Sequence, residues 1–328
     1  METLRDMVRM NAERFEDHPA IRFYEQTITY KELDERSNQV ANFLSDNGVK
    51  KGDIVSIMVG NSPEYLYLVI GAAKTGAIAG PVNNWWLEKE VGYLIQDSEP
   101  VIMAFEDRFM FIAEALKDNM PSVAKLISVG APESSSLDAS SLEDILDSYP
   151  TSLQEEVPLS GDDVASIMYT SGTTGFPKGA LITHGGIVFA NDSKQKLVDL
   201  VPEDVILCVL PLFFSGGLND LALPCLYAGA TIVLRRQFSA TEFWPLVAEQ
   251  KVTGLYIVPT MWTILLYLPE ASQVDTSSLR LTISGAAPIP EQELKECEER
   301  FGIPILEAYG LTECTGGCLA NRPQKTKV

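Results

Sequence analysis

Short apolar runs of strand character recur along the chain, and helical patterns separate most of them. The runs fall at 53–59, 101–105, 126–129, 164–170, 205–210, 230–234, 254–258, 279–284 and 305–309. Runs of this length, bounded by Gly, Pro, Asn or Asp, are the signature of buried strands rather than of helices. Parallel strands need a crossover element and are covered on both faces, so the alternation predicts an α/β fold with two parallel-rich sheets flanked by helices. Helix boundaries are equally readable. Thr29 with Glu32 forms a capping-box pattern and Gly48 a stop, while Ser62-Pro63 opens another helix.

Between 130 and 161 the chain turns rich in Ser, acidic residues and Pro, with one short helix expected around 142–146. A subdomain boundary is expected there, giving a first α/β subdomain over 1–160 and a second over 161–320. A length of 328 residues supports more than one packed core. The apolar stretch 206–234 is broken by Pro211, Asp220 and Pro224, so it reads as core strands and a helix and not as a membrane span. The N-terminus is charged throughout and has no secretory h-region.

The formal charge of −20 repels phosphate backbones and disfavours nucleic acid as a partner. A small anionic ligand then needs a local field built from backbone amides and a few placed cations. Cys208, Cys225, Cys297, Cys314 and Cys318 are odd in number and scattered, which suits a reducing, cytoplasmic setting. Cys314 and Cys318 lack a histidine to complete a zinc set, so no metal is assigned to them. The two histidines, His18 and His184, give little support to a Ser-His-Asp or Cys-His catalytic set; His184 is expected at a helix start in a structural role.

Four segments after strands carry chemistry, which is where ligands gather on open parallel sheets. Residues 170–179 (TSGTTGFPKG) pack Thr170, Ser171, Thr173 and Thr174 with Gly172, Gly175, Gly179 and Lys178. Glycines let amides approach oxyanions, hydroxyls add donors and Lys178 adds a point charge, a composition for polyphosphate. Pro177 before Lys178 and Gly179 after it break the Walker A pattern. Residues 284–290 (SGAAPIP) offer the small Gly285, Ala286 and Ala287, against which a flat base could lie, or a plain turn. Residues 307–314 (EAYGLTEC) bring Glu307, Ala308, Tyr309, Gly310, Thr312 and Glu313 into one turn, with the Tyr309 face open to a ring. Residues 210–217 (LPLFFSGG) place Phe213 and Phe214 beside Ser215, Gly216 and Gly217, either as a pocket wall or as core.

Residues 169–179 resemble the signature of the adenylate-forming superfamily of acyl- and aryl-CoA synthetases, luciferases and peptide-synthetase adenylation domains, and the other three segments resemble its downstream motifs in order. The resemblance implies ATP-dependent activation of a carboxylic acid to acyl-AMP, then thioester formation with coenzyme A. It implies that Lys178, Thr312 and Glu313 are catalytic, that Thr312 bonds the α-phosphate region and that Glu313 holds magnesium. Thr170–Gly175, Lys178, Gly285–Ala287 and Glu307–Gly310 would bind ATP. Phe213, Phe214, Ser215, Gly216, Gly217, Val258, Pro259, Gly316 and Gly317 would line an apolar acid pocket, favouring a medium- or long-chain fatty acid, with an aryl acid as the alternative. Phe214 stands where that family often has histidine, which removes a titratable group from the pocket. The expected partners are the acid, ATP and coenzyme A, with a homodimer left open. Residues 321–328 would begin a β-rich subdomain, and the family's ribose-binding aspartate, hinge and lysine-bearing lid are not found in the sequence, so a truncated, impaired N-terminal part is expected. A nonenzymatic nucleotide-binding homologue and a luciferase-like oxygenase are the rival readings.

Overall fold

In the computed structural model, residues 1–130, 137–170, 175, 177–268 and 275–321 are described. The chain divides into two compact units, Met1–Glu16 with Tyr30–Val188, and Asp17–Thr29 with Phe189–Val328. The division differs from the expected subdomains 1–160 and 161–320. The strand pair Val164–Thr170 and Lys178–Thr183 hydrogen-bonds to the sheet of the first unit. The hairpin formed by Pro19–Phe23 and Gln26–Thr29 pairs with the sheet of the second. Except for Asn321, the expected segment 321–328 lies outside the described residues.

The first unit holds a seven-stranded sheet in the order Ala139–Ser141, Lys125–Val129, Ile102–Glu106, Ile54–Met58, Ile78–Pro81, Val164–Thr170, Lys178–Thr183. All neighbours are parallel except the last pair. The helices start where their sequence says. Ser62 accepts a hydrogen bond from the Tyr65 amide, Pro63 occupies the first turn, and Gly76 ends that helix in the left-handed region. Thr3 and Asp6 form a reciprocal capping box on Leu4–Phe15. One face of the sheet is packed with Met58, Val82, Leu94, Met103, Phe105 and Ile112.

The second unit holds an eight-stranded sheet in the order Gly316–Ala320, Leu306–Leu311, Leu281–Ser284, Gly254–Ile257, Val205–Cys208, Thr231–Leu234, Pro19–Phe23, Gln26–Thr29. Its interior is parallel and both edges are antiparallel hairpins. An aromatic cluster of Phe243, Trp244, Trp262 and Phe301 packs on one face, with Trp244 and Phe301 ring centroids 4.6 Å apart. The expected strands at 205–210, 230–234, 254–258, 279–284 and 305–309 are all present with shifted ends. The segment 206–234 is two strands with a helical stretch between them, Ser215–Gly217, Leu218–Ala222 in π geometry and Leu223–Ala228. Among the described residues no helix is long and apolar enough to cross a membrane.

Candidate active site

In the first unit the segment expected to bind polyphosphate connects two antiparallel strands. Thr170 ends one strand, Lys178 opens the next, and the two are paired directly, with Tyr169 opposite Gly179. A strand therefore begins at Lys178, where a Walker motif would have a helix. Gly175 has φ +99°, a conformation that favours glycine, with open space around its Cα. Ser171, Gly172, Thr173 and Thr174 lie outside the described residues. Lys178 is exposed. The backbone on either side of the connection is anchored: the Tyr93 hydroxyl donates to the Pro177 carbonyl at 3.3 Å, and Tyr169 donates to Asp97 at 2.6 Å. Burial and the Asp97 bond push the Tyr169 phenol up, so it stays a donor. Gly179 is small for packing, since a Cβ there would press on Ile167.

In the second unit the segments expected to meet adenine and magnesium lie on neighbouring strands. Ser284 ends one strand beside Leu306–Leu311, with Ser284 opposite Glu307. Gly285 permits close packing, because a Cβ would meet the Tyr256 ring at 2.8 Å. Ala286 follows in the left-handed region at φ 69°. A cleft of about 750 Å³ is lined by Ala286, Ala287, Pro288, Glu307, Ala308, Tyr309, Gly310, Leu319, Ala320 and Asn321. Tyr309 is 59% exposed, so its ring is open to stacking. Thr312–Cys314 is a single 3-10 turn closed by a bond from the Thr315 amide to the Thr312 carbonyl, 3.0 Å, with Thr315 left-handed at φ 61°. Glu313 on that turn is exposed. Among the described residues no three His, Cys, Asp or Glu side chains gather as a metal cage. A lone carboxylate of this kind fits magnesium, which keeps several waters and is typically held by one or two carboxylates and substrate phosphates.

A separate cavity of about 130 Å³ opens between the central strands and the helices of the same unit. Leu197, Val198, Ile206, Leu221, Cys225, Leu255, Leu281, Ile283 and Leu319 give it an apolar wall, and Lys194, Asp220 and Tyr256 add polar groups. Ala308, Leu319 and Ala320 line both this cavity and the larger cleft. Of the residues expected to line an acid pocket, Gly317 lies on this wall. Phe213 is buried in the core and Phe214 is 38% exposed, with their rings 4.4 Å apart. Ser215 accepts from the Asn219 amide at 3.2 Å. A Cβ on Gly217 would overlap the Pro211 carbonyl, while Gly216 has room. Val258 and Pro259 start the helix Pro259–Leu266, and neither these two nor Phe213, Phe214, Ser215, Gly216, Gly217 or Gly316 line the cavity.

Sequence reasoning missed Lys194 as part of this wall and left Asp220 undecided. Lys194 lies 2.8 Å from Asp220, and their side chains are 13% and 9% exposed. A charged residue between Asn219 and Leu221 in an otherwise apolar run was the available signal. Tyr256 was readable only as a strand residue; burial and a hydrogen bond to Asp220 push its phenol up. His184 is fully buried at the start of His184–Val198, accepting from the Leu4 amide at 3.2 Å through Nδ1, in keeping with a structural role.

The AMP-binding enzyme family model matches residues 8–328. The chain is 32% identical over 294 residues to an indoleacetate–CoA ligase of Aromatoleum aromaticum, covering 90% of this chain and 57% of that protein. It is likewise 32% identical over 297 residues to a crotonobetaine/carnitine–CoA ligase of Salmonella agona, with the same coverage. The chain thus spans less than two thirds of these curated relatives. Among solved structures it superposes on an anthranilate CoA ligase, AuaEII, in complex with anthranoyl-AMP, with a TM-score of 0.93 and 27% identity over 99% of this chain and 63% of that one. The N-terminal domain of FACL13 from Mycobacterium tuberculosis gives a TM-score of 0.90 and 29% identity, over 99% of this chain and 79% of that domain. With the family model matched from residue 8 to residue 328, the chain belongs to the AMP-binding enzyme family.

Proposed function

We propose that this chain binds ATP and an apolar carboxylic acid and serves an acid–thiol ligase, which activates the acid to acyl-AMP and passes the acyl group to coenzyme A. One observation carries the reading: the open cleft beside Tyr309 and the apolar cavity share Ala308, Leu319 and Ala320 as wall. A base stacked on Tyr309 and an acyl group in the cavity would then lie on two sides of one hairpin, the arrangement an acyl-adenylate needs.

The chemistry asks for charge stabilisation rather than a proton shuttle. The ionised carboxylate attacks the α-phosphorus, an oxygen–phosphorus bond forms, the α–β phosphoanhydride breaks and pyrophosphate leaves. Lys178 supplies a cation for the polyphosphate and Thr312 a hydroxyl donor for the α-phosphate region. Magnesium held at Glu313 would add charge neutralisation on phosphate oxygens. In the second step the thiol of coenzyme A attacks the acyl carbonyl and AMP departs.

Cavity size supports a compact acid. An apolar wall suits a medium- or long-chain fatty acid as well as an aryl acid. A cavity of about 130 Å³ is close to the ~150 Å³ that holds a benzene ring in an engineered apolar cavity, so it suits a single ring or a short chain and not a long one. The names of the indoleacetate and anthranilate ligases point the same way. ATP–pyrophosphate exchange measured with acetate, hexanoate, benzoate, indoleacetate and palmitate tests this. Ring acids and hexanoate should drive exchange best. Exchange driven by palmitate alone would refute the compact-acid reading, and exchange that runs equally fast with and without added acid would refute the ligase reading.

A further inference from the structure

The turn that carries Thr312 and Glu313 is held by a partly buried ion pair on the cavity wall. Lys194 spends all three ammonium donors: on the Asp220 carboxylate at 2.8 Å, on the Asn219 carbonyl at 2.7 Å and on the Thr315 carbonyl at 2.7 Å. Asp220 in turn accepts from the Gly317 amide and bonds the Tyr256 hydroxyl. Thr315 and Gly317 are the residues through which the turn re-enters the sheet, with Leu311 paired to Gly316 and Gly310 to Gly317. The fit is close. Gly316 has φ +93°, and a Cβ there would overlap the Asp220 carboxylate. Asp220 sits in the π-helical stretch Leu218–Ala222, a geometry that re-aims side chains and is frequent at functional sites.

We propose that Lys194 and Asp220 are positioning residues, a partly buried ion pair on the cavity wall that fixes the Thr312–Glu313 turn without itself touching nucleotide. The proposal rests on the ligase reading above. Its physical content is that a turn with one internal hydrogen bond is held in register by two bonds from outside, to Thr315 and Gly317. Losing them leaves the strand pair formed and the adenine cleft lined, but lets the carboxylate and hydroxyl of the turn drift from the phosphate. Because both charged side chains also line the cavity, an acid lodged there packs against the support of the turn.

The test is calorimetric titration of this chain with MgATP and NMR titration with adenosine, for wild type, Lys194→Met, Lys194→Gln and Asp220→Asn, with thermal melts on each. Lys194→Met should weaken MgATP binding on the order of tenfold, the scale expected for lost positioning, while adenosine binding stays within about twofold. Lys194→Gln, whose amide can still donate to the two carbonyls, should recover most of the loss, and Asp220→Asn should fall between. Equal MgATP affinity in wild type and Lys194→Met would overturn the proposal. So would parallel losses for adenosine and MgATP, which would mean a general structural role. If Lys194→Met does not fold, Lys194→Gln and Asp220→Asn decide: an affinity for MgATP unchanged in both overturns it. A wild-type chain that does not bind MgATP, or binds it as well as Lys178→Ala does, would refute the ligase reading itself and take this proposal with it.

Discussion

His184 should set part of the acid limit of the fold. Its imidazole is fully buried, Nδ1 accepts from the Leu4 amide at 3.2 Å, and Nε2 has no hydrogen-bond partner. A proton on Nδ1 would face a donor, and a cation here would be desolvated. Burial, helped by Arg5 and opposed by Asp163, pushes the pKa down from 6.5 to about 4. Above pH 6.5 the ring is neutral in both folded and unfolded chains and no stability is lost. As pH falls from 6.5 to about 4 the unfolded chain takes up the proton and the folded chain does not. Stability therefore falls through this window, and the cost is complete below about pH 4. At about 1.4 kcal/mol per pH unit it amounts to about 3 kcal/mol. His184→Leu removes the titration and leaves the Leu4 amide without its acceptor, costing about 2 kcal/mol at pH 7. Urea unfolding from pH 7 to 3.5 should show wild type ahead at neutral pH and behind it below about 4, other carboxylates cancelling in the difference. With only two histidines in the chain, His18→Gln leaves one C2 proton to follow by NMR. A His184 titration near 6.5, or a difference in stability flat within about 1 kcal/mol, would refute the reasoning.

Two further perturbations probe the second unit. Gly217→Ala places a methyl into the Pro211 carbonyl and should cost about 2 kcal/mol by overpacking, read as a lower urea midpoint; an unchanged midpoint would show that the loop yields freely. Arg280→Met removes both guanidinium bonds from Asp204, whose side chain is 2% exposed and retains Thr253 and the Val201 amide. A loss of about 2 kcal/mol is expected, discounted because Arg280 is itself partly exposed. Asp204→Asn in the same background should regain part of it, and no regain would mean the charge was never the source.

Much of this was legible before any fold was known. The Val, Ile and Leu runs are short, so the central strands could be placed, and Ser62-Pro63 and Gly48 mark helix boundaries through local sterics and hydrogen bonds alone. The departure from a Walker loop was also readable, since Pro177 and Gly179 break that pattern and a strand, not a helix, begins at Lys178. Less legible was the acid pocket. Phe213 and Phe214 look alike in sequence, and only packing makes one core and leaves the other exposed.

Residues 169–179 by themselves carried the resemblance to the family that the match over residues 8–328 shows, and their glycines, hydroxyls and lysine made a polyphosphate ligand the expectation. What the tertiary structure alone decided depends on contacts far apart in sequence. Ile21 pairs with Ile232, so residues 17–29 join the second sheet, and Lys194 reaches Asp220 and Thr315. No local propensity encodes such pairings, since each is fixed only when helices and strands have been packed and the buried charges must find their partners.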